Sequence, residues 1–156
     1  MRIEIVYPGK TRDACLRTGI DVFLKRLKRF TRLDVRIVKE KRGKGNESDA
    51  RIKEEEGKRL LAVLDRSSFV VALDISGRQV SSEKFAALIS GWESQNRRCV
   101  SFVVGGTLGL SSEVLKQADM ALSLSKMTFT HEMARLILLE QIYRAYTIKA
   151  GTRYHK

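Results

Sequence analysis

The stretch FVVGGTLGL, residues 102–110, joins an apolar, strand-like run to a turn with three glycines and leads toward a serine that can cap a helix. A dinucleotide fingerprint places its glycines in the first strand-to-helix turn, with an acidic residue about 20 positions later. Here the glycines follow the fourth of five predicted strands, and no Gly-Lys-Ser/Thr follows to form a phosphate loop. Because glycine lacks Cβ, this backbone can approach a flat ligand or another segment closely; a tight turn without a ligand is the simpler alternative.

Outward from this stretch, strand-like and helix-like patterns alternate along the chain. The runs at 69–74 and 100–104 are almost continuously apolar, which is typical of strands covered on both faces. The other predicted strands are 2–7, 35–38 and 121–125, and the predicted helices cover about 15–27, 49–64, 82–92, 111–118 and 131–146. The alternation predicts a single α/β domain over residues 1–156, with a mostly parallel sheet flanked by helices.

Individual side chains refine this prediction. The predicted N-caps are Ser48, Ser82 and either Ser111 or Ser112. The acidic run of the second helix, expected to face solvent, is Glu54, Glu55 and Glu56. The stretch LILL at 136–139 is apolar on nearly all sides, so the last helix must be buried in a core or against another subunit. Cys15 and Cys99 have no spacing typical of a metal site and are predicted to be small buried hydrophobic residues, so no metal is expected.

Positive charge is concentrated near the start of the chain. The net charge is +12, and residues 1–45 hold 14 Lys and Arg against 5 Asp and Glu. This excess favours a polyanionic partner, with nucleic acid ahead of an anionic membrane surface. The predicted phosphate contacts are Lys41, Arg42 and Lys44, together with the basic face of the first helix. No apolar stretch approaches the ~20 residues of a membrane span and no signal peptide is evident, so we expect a soluble, cytoplasmic protein.

Three segments follow predicted strands at the edge where parallel α/β sheets bind ligands. They are LDISG at 73–77, GGTLG at 105–109 and LSKMTFTH at 124–131. Their hydroxyls and backbone amides offer hydrogen bonds, and their Leu, Met and Phe side chains offer an apolar slot. Such a pocket suits adenine and a thioether better than a polyphosphate, which would require more lysine and a helix N-terminus.

Five stretches together carry a pattern that is more specific than the glycine loop alone. They are KRGK at 41–44, LDISG, FVVGGTLGL, LSLSKMTFTHEMARLILLEQIYRAYTI at 122–148 and the terminal YHK. In order and spacing they resemble the small bacterial rRNA methyltransferases of the SPOUT superfamily. The resemblance implies a C-terminal segment threaded through a loop to form a trefoil knot, a rare exception to topological rules. It further implies a homodimer that transfers a methyl group from S-adenosylmethionine to N3 of a pseudouridine in helix 69 of 23S rRNA, on assembled ribosomes.

Matched residue by residue, the resemblance implies cofactor contacts from all three strand ends. The implied contacts are Leu73, Gly105, Leu124, Ser125, Lys126, Met127, Thr128 and Phe129. We expect Lys126 to contribute its backbone; the ordinary alternatives are a core side chain for Leu73 and a solvated charge for Lys126. Two positions depart from the family, which often has proline where this chain has Thr130 and Asn or Glu where it has Leu108.

Methyl transfer to an imide nitrogen requires that nitrogen to lose its proton, which an imidazole, a carboxylate or solvent can accept. A nearby cation would stabilise the developing anion. The catalytic candidates are His131, Arg135, Arg144, Tyr154 and His155. The first two are four residues apart and share a helix face, and the last two lie in a tail that, in a dimer, is predicted to reach the partner's site. The alternative is that Glu132 and Glu140 pair with the arginines structurally.

Two other functions remain open at this point. A non-enzymatic ribosome-binding factor would use only the basic surface, and a different α/β enzyme would place another nucleotide-like cofactor in the glycine loop. Binding of S-adenosylmethionine separates both from the methyltransferase hypothesis.

Overall fold

A sheet of five parallel strands runs through the centre of the protein. The computed structural model describes residues 1–41, 43, 46–152 and 154. The strands are β1 (Arg2–Pro8), β2 (Arg32–Val38), β3 (Phe69–Gln79), β4 (Cys99–Val104) and β5 (Met120–Ser123). Their order across the sheet is β2-β1-β4-β3-β5, and every neighbouring pair is parallel. The predicted α/β sheet is confirmed; the trefoil knot is consistent with this order, and its threading stays a prediction.

Helices follow each strand in the described part of the chain. They are α1 (Ala14–Leu27), α2 (Asp49–Val63), α3 (Ser82–Ser94), α4 (Ser112–Gln117) and α5 (His131–Lys149). Each starts after a side-chain oxygen that accepts a backbone N–H of the first turn, supplied by Asp13, Ser48, Ser81, Ser111 and Thr130. Ser48 and Ser111 are confirmed as N-caps. Ser82 is wrong, because the preceding Ser81 accepts the Lys84 N–H and Ser82 instead donates to Gln141.

The sheet is covered on both faces, and side chains of β4 alternate between two cores. Phe102 belongs to the core formed with α1, α3 and α5, whereas Val103 belongs to the core formed with α2 and α4. All six residues of β4 are buried, which explains its continuous apolar run. Helix α5 packs against both α1 and α3. The apolar stretch of this helix is therefore largely covered within one chain, with Leu138 and Leu139 fully buried.

Strand β3 continues past the predicted end at residue 74 and contains a bulge. Leu73 and Arg78 both pair with Leu122 of β5, so the residues between them leave the ladder. Gly77 lies in this bulge, and a Cβ there would be 2.7 Å from backbone atoms of Ala121 and Leu122. Because no side chain fits at that distance, glycine allows β5 to lie directly against the bulge.

Two residues are placed differently from the prediction. Glu56 is only 6% exposed, while Glu54 on the same helix is exposed, because residues two apart on a helix point in nearly opposite directions. Cys99 is buried as predicted, but Cys15 is exposed on the first turn of α1. Within the described ranges, no helix is long and apolar enough to cross a membrane.

Candidate functional site

A cavity opens at the carboxyl edge of the sheet, where the ends of β3, β4 and β5 meet. Its volume is about 720 Å³, within the ~300–1,000 Å³ typical of small-molecule sites. Its walls are the three segments that follow these strands, together with the first turn of α5. Of the predicted cofactor residues, Leu73, Gly105, Leu124, Ser125, Met127, Thr128 and Phe129 line it. The side chain and backbone of Lys126 are not part of the lining.

The glycine loop, residues 105–109, closes on itself at this cavity. The Gly109 N–H donates to the Gly106 carbonyl oxygen at 3.0 Å, and Gly109 has a φ of +77°, in the region that favours glycine. A Cβ on Gly105 would lie 2.5 Å from the carbonyl carbon of Gly109. The close approach predicted for Gly105 is therefore made within the loop itself, so this glycine shapes the cavity wall.

The segment from Ser123 to Thr130 uses several of its hydroxyls internally. Ser123 donates to the carbonyl oxygen of Ser125 at 2.9 Å, and the Ser125 hydroxyl accepts the Met127 N–H at 2.9 Å. Thr130 accepts the Met133 N–H at 3.2 Å. Thr130 thus begins α5 as its N-cap, which accounts for threonine at the position where the family often has proline.

His131 is the first residue of α5 and lines the cavity. Burial, reinforced by the positive charge of Arg135, lowers the pKa of His131 below its ordinary value, while Glu132 acts in the opposite direction. The imidazole is therefore neutral at pH 7. A neutral imidazole has a free lone pair and is the form that accepts a proton.

Arg135 is not part of the cavity lining and is 1% exposed. Its guanidinium donates to the Pro8 carbonyl oxygen at 2.7 Å and to the Thr11 hydroxyl at 3.1 Å. It also lies over the Tyr7 ring, 4.0 Å from the centroid. Arg135 is one turn from His131 on α5. Its side chain joins α5 to the end of β1 and is placed to hold the first turn of α5.

Glu132 fixes the same turn from its other side. Its carboxylate accepts the backbone N–H groups of Arg12 at 2.8 Å and Asp13 at 3.1 Å, just before α1. The pairing of Glu132 with Arg135 that was left open as an alternative is replaced by these two bonds. His131 therefore stands on a helical turn that is tied to the β1–α1 connection at two points.

Arg144 is held in a cluster at the far end of α5. It donates to Glu140 through Nε at 2.9 Å and Nη2 at 2.6 Å, and its guanidinium lies over the Tyr154 ring. Tyr154 also meets the Tyr143 ring edge-on, with centroids 4.7 Å apart. The structural pairing of Glu140 with Arg144, foreseen as an alternative, is present.

The catalytic candidates are not brought together within one chain. At 1.5 Å per residue, Arg144 lies about 20 Å along α5 from His131, and Tyr154 lies with Arg144. His155 falls outside the described residues. Two groups of candidates, near opposite ends of one helix, are thus about 20 Å apart in the described part of the chain.

Lys41, a predicted phosphate contact, is already paired with two carboxylates. Its ammonium lies 2.9 Å from a Glu55 oxygen and 3.0 Å from a Glu47 oxygen, and these contacts, Glu55 first, raise the pKa of Lys41. Arg42 and Lys44 fall outside the described residues. The first helix differs, because among the described residues no carboxylate pairs with its exposed cations. The exposed cations at and beyond the end of α1 are Lys25, Arg26, Lys28 and Arg29.

Several residues of the site were not named individually as cofactor contacts, although the first three lie in segments that the sequence predicts at the ligand-binding edge. Asp74 and Ile75 line the cavity because the β3 bulge turns them toward it, and Leu108 lines it through the glycine loop. Glu56 lies below the glycine loop, with one carboxylate oxygen 2.5 Å from where a Cβ on Gly106 would be. The spacing of Glu56 and the buried Leu60, four residues apart, was a signal that both occupy the inner face of α2.

A glycine-loop cavity at the carboxyl edge of a parallel sheet, with apolar walls and backbone polar groups, defines an α/β protein that binds a nucleotide-like small molecule. Solved structures share this fold. A tRNA (m1G37) methyltransferase from Aquifex aeolicus matches 92% of the chain, with 69% of its own length covered, at TM-score 0.54 and 13% identity. TrmJ from Z. mobilis ZM4 matches with the same coverage at TM-score 0.53 and 17% identity.

Sequence relatives are similar over their whole length. Proteins named ribosomal RNA large subunit methyltransferase H are 47% identical in Desulfotalea psychrophila and 45% identical in Clostridioides difficile, with 100% of both chains covered in each comparison. The family described as predicted SPOUT methyltransferase matches residues 1–155. The chain belongs to the SPOUT methyltransferase family, as the sequence resemblance implied.

SPOUT methyltransferases use S-adenosylmethionine as the methyl donor, and the cavity fits this group. Its walls combine the glycine-loop backbone with side chains such as Leu122 and Phe129, which suit an adenine ring and a thioether. The carboxylate of Asp74 in the lining complements the positive charge of a sulfonium. Among the described residues, no group of three His, Cys, Asp or Glu side chains is arranged to hold a metal ion.

Proposed function

We propose that this enzyme methylates N3 of a pseudouridine in helix 69 of 23S rRNA, on the assembled ribosome in the cytoplasm. The observation that carries the proposal is the methyl-donor-sized cavity formed by the three strand ends, in a chain whose full-length relatives are named for large-subunit rRNA methylation. The net charge of +12 supports a polyanionic substrate of this kind.

In this proposal the cavity walls hold S-adenosylmethionine. Leu73, Leu124 and Phe129 supply apolar surface, and the backbone of residues 105–109, 125, 127 and 128 is placed to supply hydrogen bonds. The cofactor, when bound, supplies an electrophilic methyl group on sulfur. The protein contributes position and electrostatics, because the substrate nitrogen must be held in line with that methyl group.

His131 is the proposed proton acceptor. It lines the cavity and its lowered pKa keeps the imidazole neutral at pH 7, so it can take the N3 proton of the base. Arg135 is proposed to act as a positioning residue, since its guanidinium is committed to Pro8 and Thr11. Removal of the N3 proton leaves an imide anion, which a cation from elsewhere must stabilise.

We further propose that a homodimer completes the site. Exposed apolar side chains line the cavity: Met127 is 75% exposed, Ile75 59% and Phe129 38%. Met133, on the first turn of α5, is 36% exposed. Such a patch is typical of an interface. A second copy covering it would bring its own Arg144, Tyr154 and His155 to the cavity, which supplies the missing cation and an aromatic ring able to stack on a base.

Contacts to the rRNA backbone are proposed for the 41–44 loop and for the end of α1. The structure of the described residues favours α1, because Lys25 and Lys28 are exposed and unpaired whereas Lys41 is held by Glu47 and Glu55. Unpaired cations gain more from a phosphate, since no carboxylate has to be displaced.

Two measurements test the proposed function. Calorimetric titration of the purified protein with S-adenosylmethionine and S-adenosylhomocysteine should show saturable binding. Mass spectrometry of 23S rRNA from cells that lack this protein should show one methyl group missing from helix 69, and the wild-type gene should restore it. A folded protein that gives no heat with either compound would contradict the proposal and favour a ribosome-binding factor without enzymatic activity.

A further inference from the structure

Glu56 is a buried carboxylate at the boundary between two loops. Its Oε1 accepts the backbone N–H of Lys41 at 3.4 Å, just beyond the end of β2. Its Oε2 faces the glycine loop, 2.5 Å from the Cβ position of Gly106, and the nearby Gly106 N–H opposes the rise in the pKa of Glu56. Glu56 therefore touches the backbone of residues 39–41 on one side and the methyl-donor cavity wall on the other.

Among the described residues, no cation contacts the Glu56 carboxylate. Arg59 is nearby, but its guanidinium donates to the carbonyl oxygens of Lys39 at 3.0 Å and Glu40 at 3.4 Å. The Glu40 carboxylate is a like charge, and burial is the main cause that raises the pKa of Glu56. Because a buried carboxylate without a contacting cation is unfavourable for folding, stability alone does not explain why glutamate is here.

The backbone around Glu56 is closely packed, which leaves its carboxylate little freedom to move. A Cβ on the next residue, Gly57, would lie 2.1 Å from the Ser111 hydroxyl, so α2 presses directly on the connection from β4 to α4. Pro8 closes the other side, 3.2 Å from the Cβ position of Gly106. The carboxylate is thus held at one place relative to the glycine loop.

We propose that Glu56 is a positioning residue of the methyl-donor site. Its carboxylate lies directly against Gly106, which keeps the glycine loop in the shape that forms the cavity wall, and through the Lys41 N–H it ties that loop to the connection after β2. The inference rests on the proposed function, since it assumes that the cavity binds S-adenosylmethionine. It adds a link between the cavity and the connection that leads into the basic loop.

The test compares Glu56→Gln with Glu54→Gln in the full-length protein. Glutamine has the shape of glutamate but only one oxygen, so either the side that faces Lys41 or the side that faces Gly106 receives an amide NH2 in place of an acceptor. Titration with S-adenosylhomocysteine should show roughly ten-fold or greater weakening for Glu56→Gln, with a melting temperature unchanged or raised because a buried charge is removed. Glu54 is exposed on the same helix, and Glu54→Gln should bind as the wild type does.

A second measurement separates positioning from general structure. Amide hydrogen exchange followed by NMR should show that S-adenosylhomocysteine slows exchange at both Gly106 and Lys41 in the wild type, and at Gly106 alone in Glu56→Gln. Equal affinity of Glu56→Gln and wild type would overturn the inference, and so would a lowered melting temperature that accompanies the weakened binding. No heat from the wild type would overturn the proposed function itself, which is a distinguishable result.

Discussion

Replacement of Gly105 by alanine is the sharpest test of the glycine loop. The added Cβ would lie 2.5 Å from the carbonyl carbon and 2.8 Å from the carbonyl oxygen of Gly109. Ordinary carbon contacts are about 3.5–4.0 Å, so the two ends of the loop must separate by about 1 Å. Overpacking of this kind costs about 1–3 kcal/mol. If this overpacking destabilises the ligand-bound conformation of the loop by that amount, the affinity for S-adenosylhomocysteine falls by a factor between about 5 and about 150.

Calorimetry with S-adenosylhomocysteine measures this effect, and a melting curve shows whether the protein stays folded. Gly91→Ala is the matched control, since no atom lies within 4 Å of a Cβ at that position of α3. Alanine in a helix interior is favoured over glycine by ~0.8–1.0 kcal/mol, so this variant should melt higher and bind with unchanged affinity. Wild-type affinity for Gly105→Ala would refute the argument that loop closure shapes the cavity.

Three further predictions concern the rest of the molecule. The rate of methylation by the wild type should fall as the pH drops through the lowered pKa of His131. The variant His131→Asn should lose this pH dependence and be roughly 10²–10⁴-fold slower across the range. A pH–rate profile that is the same in the variant and the wild type would exclude His131 as the base. Arg135→Met should destabilise the fold by about 1–3 kcal/mol in urea titrations, because the buried Pro8 carbonyl loses its donor, and an unchanged midpoint would contradict the positioning role. For ribosome binding, Lys25→Ala should flatten the dependence of log K on log salt by roughly one, while Lys41→Ala should leave the slope nearly unchanged; the opposite order would return the phosphate contact to the 41–44 loop.

Some residues of the site can be predicted from sequence patterns, and others cannot. The three strand ends could be predicted because each follows an apolar run, and such a run is recognised from the local sequence alone. Asp74 and Ile75 lie in the predicted segment 73–77 but were not named as contacts, because the bulge in β3 that brings them to the cavity depends on its pairing with β5. Arg135 lies on the face of α5 that helical spacing predicts, yet its side chain bonds to Pro8, which is 127 positions away along the chain.

The amino-acid sequence by itself determined the alternation of strands and helices, the parallel α/β class, the glycine loop and the family, because these depend on periodicity, turn residues and motif order. Only the tertiary structure decided what the charged groups do. Glu56 and Arg135 became buried and bonded to backbone elsewhere in the chain, Lys41 became paired, and Asp74 and His131 came to line the cavity. The physical reason is that the state of a charge depends on the burial and partners that folding brings from remote parts of the chain.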